Sequence, residues 1–267
     1  MMDVIKKNNV VIKGNGEQVI MFVHGYGCDQ NMWRFVVPSF EAQYKVVLID
    51  HVGSGKSDWE AYDYQKYGTL NQYAHDIIDI CEALELKDVT LVVHSVSSMI
   101  GTVAAIAKPH LFKNIVMVCP SPCYLNDGEY RGGFEKNDIT DMIETLNSNY
   151  LGWSSGITSV IMGNPDKPEL TEELTNSFCQ HDPEIAKNFA RVTFTSDHRE
   201  DLPKLGTPTL IIQCDQDLIA PMSVGKYVHE HIKNSQLMVI EATGHCPHLS
   251  HSVETTQLIE KYLQFSK

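Results

Sequence analysis

Six stretches of the chain are continuously apolar and rich in β-branched residues: 18–24, 45–50, 89–94, 114–119, 209–214 and 237–241. A strand with one wet face alternates apolar and polar side chains, whereas a strand covered on both faces need not. These runs therefore predict buried strands of a mainly parallel sheet. Segments of helical period lie between them at Leu70–Leu86, Val96–Ala107, Met222–Ile232 and Val253–Phe265. Strand and helix in alternation predict an α/β fold. "VVIKG" near the start adds a short antiparallel edge strand.

The middle of the chain breaks this rhythm. From about Tyr124 to Asp197 no core strand is evident, and four helical stretches follow one another. They run roughly over Phe134–Tyr150, Leu151–Met162, Glu169–Gln180 and Pro183–Phe194, with Asp182-Pro183 as a helix start. A helical insert between strands of a parallel sheet is most simply a cap over the sheet's carboxyl edge, where such sheets place their ligand sites. The expected organisation is one domain, 1–267, with a helical insertion at about 124–197. At this length roughly three quarters of the unfolded surface can be buried, so one core suffices.

Charge and cysteine usage narrow the partners. The formal net charge is -13 and no Lys/Arg cluster appears, which disfavours nucleic acid and anionic membranes. No apolar run reaches the roughly 18 to 20 residues that span a bilayer. The seven cysteines are scattered without CxxC spacing, and "MMDVIKKNNV" lacks the apolar region of a secretory leader. A cytoplasmic setting is the expectation.

The candidate chemistry sits at strand ends. In "TLVVHSVSSMIG", Ser95 falls between a strand and a helix, the context of a nucleophile elbow. The usual G-x-S-x-G signature is altered, with Val93 and Ser97 at the glycine positions. A serine hydroxyl needs a base and a group that orients the base. "QCDQDLIAP" offers Asp215 and Asp217, and "EATGHCPHLSH" offers His245, each just past a strand. The order Ser, Asp, His is that of α/β-hydrolases. "VHGYG" follows the first long strand and would supply an oxyanion donor from the N–H of Tyr26, partnered by that of Val96. His24 and His94 read as hydrogen-bonding loop and core residues. His248 and His251 follow His245 at metal-like spacing, but without a carboxylate or second cluster no metal is expected. "GSGKS" at 53–57 fails the phosphate-loop frame because Asp50 stands five before Gly55. Nothing here calls for a cofactor.

At this point a family resemblance is evident. "GCDQNMW", "HVGSGKSD", "HSVSSMIG", "VCPSPCYLNDGEYRGGFE", "NYLGW", "FTSDHREDLP", "APMSVGKYVHEHI" and "GHCPHLSH" together resemble the RsbQ family of bacterial α/β-fold hydrolases, over about Val11 to Leu263. That family regulates a general-stress sigma factor, and its lineage includes the plant karrikin and strigolactone receptors. The resemblance implies an α/β-hydrolase fold with about eight strands under a four-helix lid, and a triad of Ser95, Asp217 and His245. It also implies a closed apolar pocket lined by Tyr26, Tyr124, Phe134, Met142, Trp153, Ile157, Phe194 and Ile219. Such a pocket suits a small hydrophobic ester or lactone. The implied protein partner is a PAS-domain phosphatase of the RsbP type. Most members carry glycine at the position of Val93, so strain of about 1 to 3 kcal/mol is expected there. A displacement near 1 Å would slow the chemistry on the order of a hundredfold.

Overall fold

The computed structural model describes residues 3–265. Its sheet is built from β1 (Val11–Lys13), β2 (Gln18–Val23), β3 (Tyr44–Ile49), β4 (Val89–His94), β5 (Phe112–Val118), β6 (Thr209–Gln216) and β7 (Ser235–Thr243). The spatial order is β1-β3-β2-β4-β5-β6-β7. β1 runs antiparallel to β3 and every other pairing is parallel. This is the α/β-hydrolase fold expected, with seven strands among the described residues rather than eight. Ahead of β1 the chain forms a helical turn, Val4–Lys7, capped by the Asp3 carboxylate and tied by Lys7 to Asp76 at 2.7 Å. That segment therefore adds no strand.

The uninterrupted apolar runs have a plain cause. In β2, Val19, Met21 and Val23 enter one core while Ile20 and Phe22 enter the other. In β4, Leu91 and Val93 face one way and Val92 the other. Successive side chains point to opposite faces, and in these central strands both faces are dry; the run at 237–241, expected to be buried, lies instead on the edge strand β7 and leaves Val239 exposed. Helices Leu70–Ala83, Ser97–Ala107 and Met222–His231 pack on the first face, and Ser252–Phe265 closes the second.

The lid is the run of four helices between β5 and β6: Lys136–Ser148, Tyr150–Met162, Pro168–Cys179 and Pro183–Thr195. Asp182 caps the last of them through the N–H groups of Glu184 and Ile185, with Pro183 at its first position. The segments that enter and leave the lid pair with each other through an isolated bridge, Cys123 with Asp197, and Leu125 pairs with Phe134 ahead of the first lid helix. No helix of the described residues is long and apolar enough to cross a membrane.

Candidate active site

Ser95 follows β4 directly and adopts φ of +56°. A non-glycine residue held there costs about 1 to 3 kcal/mol, so its surroundings must over-determine the turn. They do: the Ser95 N–H donates to the Val118 carbonyl, and the Ser95 carbonyl accepts from Ser98 N–H, both at 2.9 Å. The strained residue is thus the serine itself. Val93, where strain was expected, keeps its strand pairing with Val23 and Met117. The reason lies opposite it in the helix after the elbow. A Cβ on Gly101 would stand 3.2 Å from Val93 Cγ1 and 3.0 Å from Leu91 Cδ2, so the absent side chain makes the room that valine fills.

Ser97, at the other altered position, acts as a tie. Its hydroxyl donates to the His24 carbonyl at 2.5 Å and accepts from His51 Nε2–H at 2.8 Å. His51 N–H in turn donates to His24 Nε2 at 3.1 Å. The elbow helix is thereby fastened to the loop that carries Tyr26.

Past the carboxyl ends of β6 and β7, two loops bring an acid and a base to Ser95. Asp217 Oδ2 lies 2.6 Å from His245 Nδ1, and His245 Nε2 lies 2.7 Å from Ser95 Oγ. The second carboxylate oxygen of Asp217 accepts from the N–H groups of Ile219 and Ala220 at 2.8 and 3.0 Å. An ionised carboxylate only accepts, so His245 carries its proton on Nδ1 and Ser95 donates to Nε2. Tyr124 Oη then donates to Ser95 Oγ at 3.3 Å; burial pushes its pKa up and keeps that proton in place. Asp215 turns elsewhere and accepts from Ala242 N–H at 2.9 Å, which stitches β6 to β7.

His245 also hangs from the lid. Its N–H donates to the Ile161 carbonyl at 2.7 Å, at the end of the second lid helix. Gly244 has φ of +92°, and a side chain there would collide with the Met162 carbonyl. Asn164 spans the same junction, donating to the carbonyls of Met162 and Thr243 at 2.6 and 2.7 Å. From below, His94 Nε2–H donates to the His245 carbonyl at 2.8 Å. His24, for its part, uses Nδ1 on the Gly25 carbonyl at 2.8 Å.

Of the two expected oxyanion donors, Val96 begins the elbow helix, where N–H groups have no intrahelical acceptor. Tyr26 sits in the loop after β2, its carbonyl accepting from the Cys28 thiol at 3.3 Å.

A small, mainly apolar cavity of about 20 Å³ lies over Ser95. Tyr26, Tyr124, Phe194 and Ile219 line it. Trp153 stands behind, its ring 6.2 Å from that of Tyr26, and the ring of Phe134 is 6.1 Å from that of Phe194. Met142 and Ile157 are half-buried against the same core. The lid contributes four lining residues not anticipated from sequence: Ile161, Leu174, Phe178 and Thr193; Cys28, His94 and Cys246 complete the wall. Leu174 and Phe178 share one face of a helix at a spacing of four, which was a legible signal for the core but not for the site.

Among the described residues, two groups have donor atoms within 4.8 Å of one another: His94, Cys246 and His248, and Cys119 with Asp217 and His245. The second group contains the acid and base already described. In the first, burial holds His94 well below the usual histidine range and His248 down to about 3, so both are neutral. His248 lies against the ring of Trp33, 4.6 Å between centroids. His251 is apart from both groups, its Nδ1 2.9 Å from Ser250 Oγ.

A family model for the alpha/beta hydrolase fold matches residues 18–196. The karrikin insensitive 2 receptor CA of Petunia hybrida is 38% identical over 244 residues, covering 91% of this chain and 90% of the receptor. Strigolactone esterase RMS3 of Pisum sativum is 36% identical over 244 residues, 91% of each chain. The solved structure of a hydrolase from Oleispira antarctica superposes with a TM-score of 0.96 at 43% identity, covering 98% of this chain and 96% of the other.

Proposed function

Because this chain belongs to the alpha/beta hydrolase fold family, we propose that it is a serine hydrolase acting on a small apolar ester or lactone. The observation that carries this reading is the unbroken hydrogen-bond chain from Asp217 through His245 to Ser95 beneath a lidded cavity. Ser95 Oγ attacks the carbonyl carbon as His245 Nε2 takes its proton. Asp217 keeps the Nδ1 proton in place and stabilises the imidazolium. The N–H groups of Tyr26 and Val96 receive the developing oxyanion, each worth about 3 to 4 kcal/mol. The imidazolium then protonates the leaving alcohol, an acyl-Ser95 ester remains, and water activated by His245 releases the acid. Turnover is slow in this reading because a cavity of about 20 Å³ holds a water but not an ester, so the lid must yield first.

Incubation with a serine-directed sulfonyl fluoride should add one reagent mass at Ser95 and none in Ser95→Ala. Absence of that adduct, under conditions that label related hydrolases, would remove the catalytic assignment.

The lidded cavity and the receptor named among the relatives favour a second reading, in which ligand capture is the output. The protein would then be an RsbQ-like stress-pathway regulator that signals through a PAS-domain phosphatase. Full signalling by Ser95→Ala in cells would select it over hydrolysis.

A further inference from the structure

Two hydroxyls beside the Ser95 cavity have no partner among the described residues. Tyr26 and Thr193 both line the cavity, and the buried Tyr26 Oη and Thr193 Oγ1 reach no hydrogen-bond acceptor or donor. Each such group costs about 1 to 3 kcal/mol when left unpaired. Their neighbours show that this is not forced by the fold. Helical hydroxyls elsewhere in the lid return to the carbonyl four residues back: Ser154 to Tyr150, Thr158 to Ser154, Thr175 to Thr171 and Thr195 to Arg191, all at 2.7 to 2.9 Å. Thr193, in the same helix as Thr195, does not. Tyr26 sits among the rings of Phe178, Phe189 and Phe194, at 5.3, 5.6 and 6.4 Å. A phenylalanine would meet the same packing demand without an unpaired oxygen.

We propose that Tyr26 and Thr193 are specificity-determining residues whose hydroxyls recognise a second oxygen function on the ligand, apart from the scissile carbonyl. The substrate class is then a small uncharged ester or lactone that also carries an ether, hydroxyl or carbonyl oxygen. An uncharged ligand is required because no Lys or Arg lines the cavity to pair with an anion. A site built to hydrogen-bond an oxygen rejects the analogue that lacks it, since its own polar groups then stay buried and unpaired. This inference rests on the reading of the cavity as the substrate site, and it is independent of whether turnover follows.

The test uses three isosteric esters: phenyl pentanoate, phenyl ethoxyacetate and phenyl 3-methoxypropanoate. Their affinities are measured by calorimetry on Ser95→Ala, which leaves them intact, and their kcat/KM values on the unaltered protein. The ratio of ether ester to pentanoate, taken within each protein, cancels any effect of a substitution on the oxyanion loop. Adding Tyr26→Phe or Thr193→Val should lower the affinity ratio for at least one ether ester by about 5- to 10-fold, one ordinary hydrogen bond. Ratios that stay within about twofold in both variants for both ether esters would overturn the inference, since the hydroxyls would then serve only hydration. If Tyr26→Phe does not fold, Thr193→Val decides alone. Absence of turnover by the unaltered protein would count against hydrolysis, while the affinity ratios would still decide recognition.

Discussion

The bulk of Val93 is absorbed by Gly101, and the pair behaves as one packing unit across the strand and the elbow helix. Val93→Gly would open a hole in a fully buried layer and should cost about 2 to 4 kcal/mol with no gain in kcat. Gly101→Ala presses a methyl toward Leu91 and Val93 and should cost about 1 to 3 kcal/mol. The double variant should lose less than the sum by about 1 kcal/mol or more, because the new methyl occupies part of the new hole. Urea unfolding of the four proteins measures this coupling; strict additivity would show that the two sites do not share their space. Ser97 works at the same scale. Its hydroxyl places the Ser95 turn against the Tyr26 loop, a task that a glycine there has no atom to perform.

Among the elements, the third lid helix, Pro168–Cys179, is both wall and fastening. Phe178 presses on Gly27, whose φ of +72° and missing side chain allow the contact. Ser177 Oγ donates to the Gly27 carbonyl at 2.9 Å, and Tyr150 Oη donates to the Phe178 carbonyl at 2.6 Å. On its outer side a cleft of about 310 Å³ opens, and Cys28 and Leu174 border both that cleft and the Ser95 cavity. Leu174→Ala should join the two spaces. We expect a several-fold rise in kcat/KM for bulky aryl esters, with a stability loss of about 2 to 5 kcal/mol. Unchanged rates on bulky esters, in a variant that remains folded, would place the route of entry elsewhere. The second lid helix has a different coupling. Because His245 N–H is held by Ile161 and Asn164 straps Met162 to Thr243, any displacement of this helix also moves His245.

For the molecule as a whole, burial of imidazoles sets the response to acid. His51, His94 and His248 are enclosed, and desolvation lowers the pKa of each below the ordinary 6.5, that of His248 to about 3. The unfolded chain takes up protons at these residues as pH falls below about 6.5, while the folded chain does not. Their contribution to stability is thus complete above that pH and is lost progressively as pH falls toward each folded value, about 3 for His248. Each differential proton is worth about 1.4 kcal/mol per pH unit, and His181, lowered by the same burial, adds to the fall. Urea midpoints taken from about pH 7 down to pH 5 should show this steep fall. His248→Gln should make the fall shallower by one differential proton, about 1.4 kcal/mol per pH unit; an unchanged slope would mean that His248 is protonated in the folded state.

The local pattern was enough for the sheet and for the order of the chemistry. Continuous apolar runs bounded by turns mark the strands, and Ser95 and His245 each follow such a run within a few residues, so their placement at one sheet edge follows from strand direction alone, although the run before His245 forms a partly exposed edge strand. Sequence by itself left Asp215 and Asp217 as equivalent loop acids, and only family resemblance separated them. The fold separates them physically, because Asp215 lies within the end of β6 and reaches β7, while Asp217 lies just past it and reaches His245. What lines the cavity, how small it is, and why Val93 is tolerated were decided by tertiary structure. Each depends on how closely lid helices and sheet approach one another across 80 or more residues of chain, or on which side chain an elbow helix omits. Helical period shows that Leu174 and Phe178 face inward, but it carries no information about which buried space they bound.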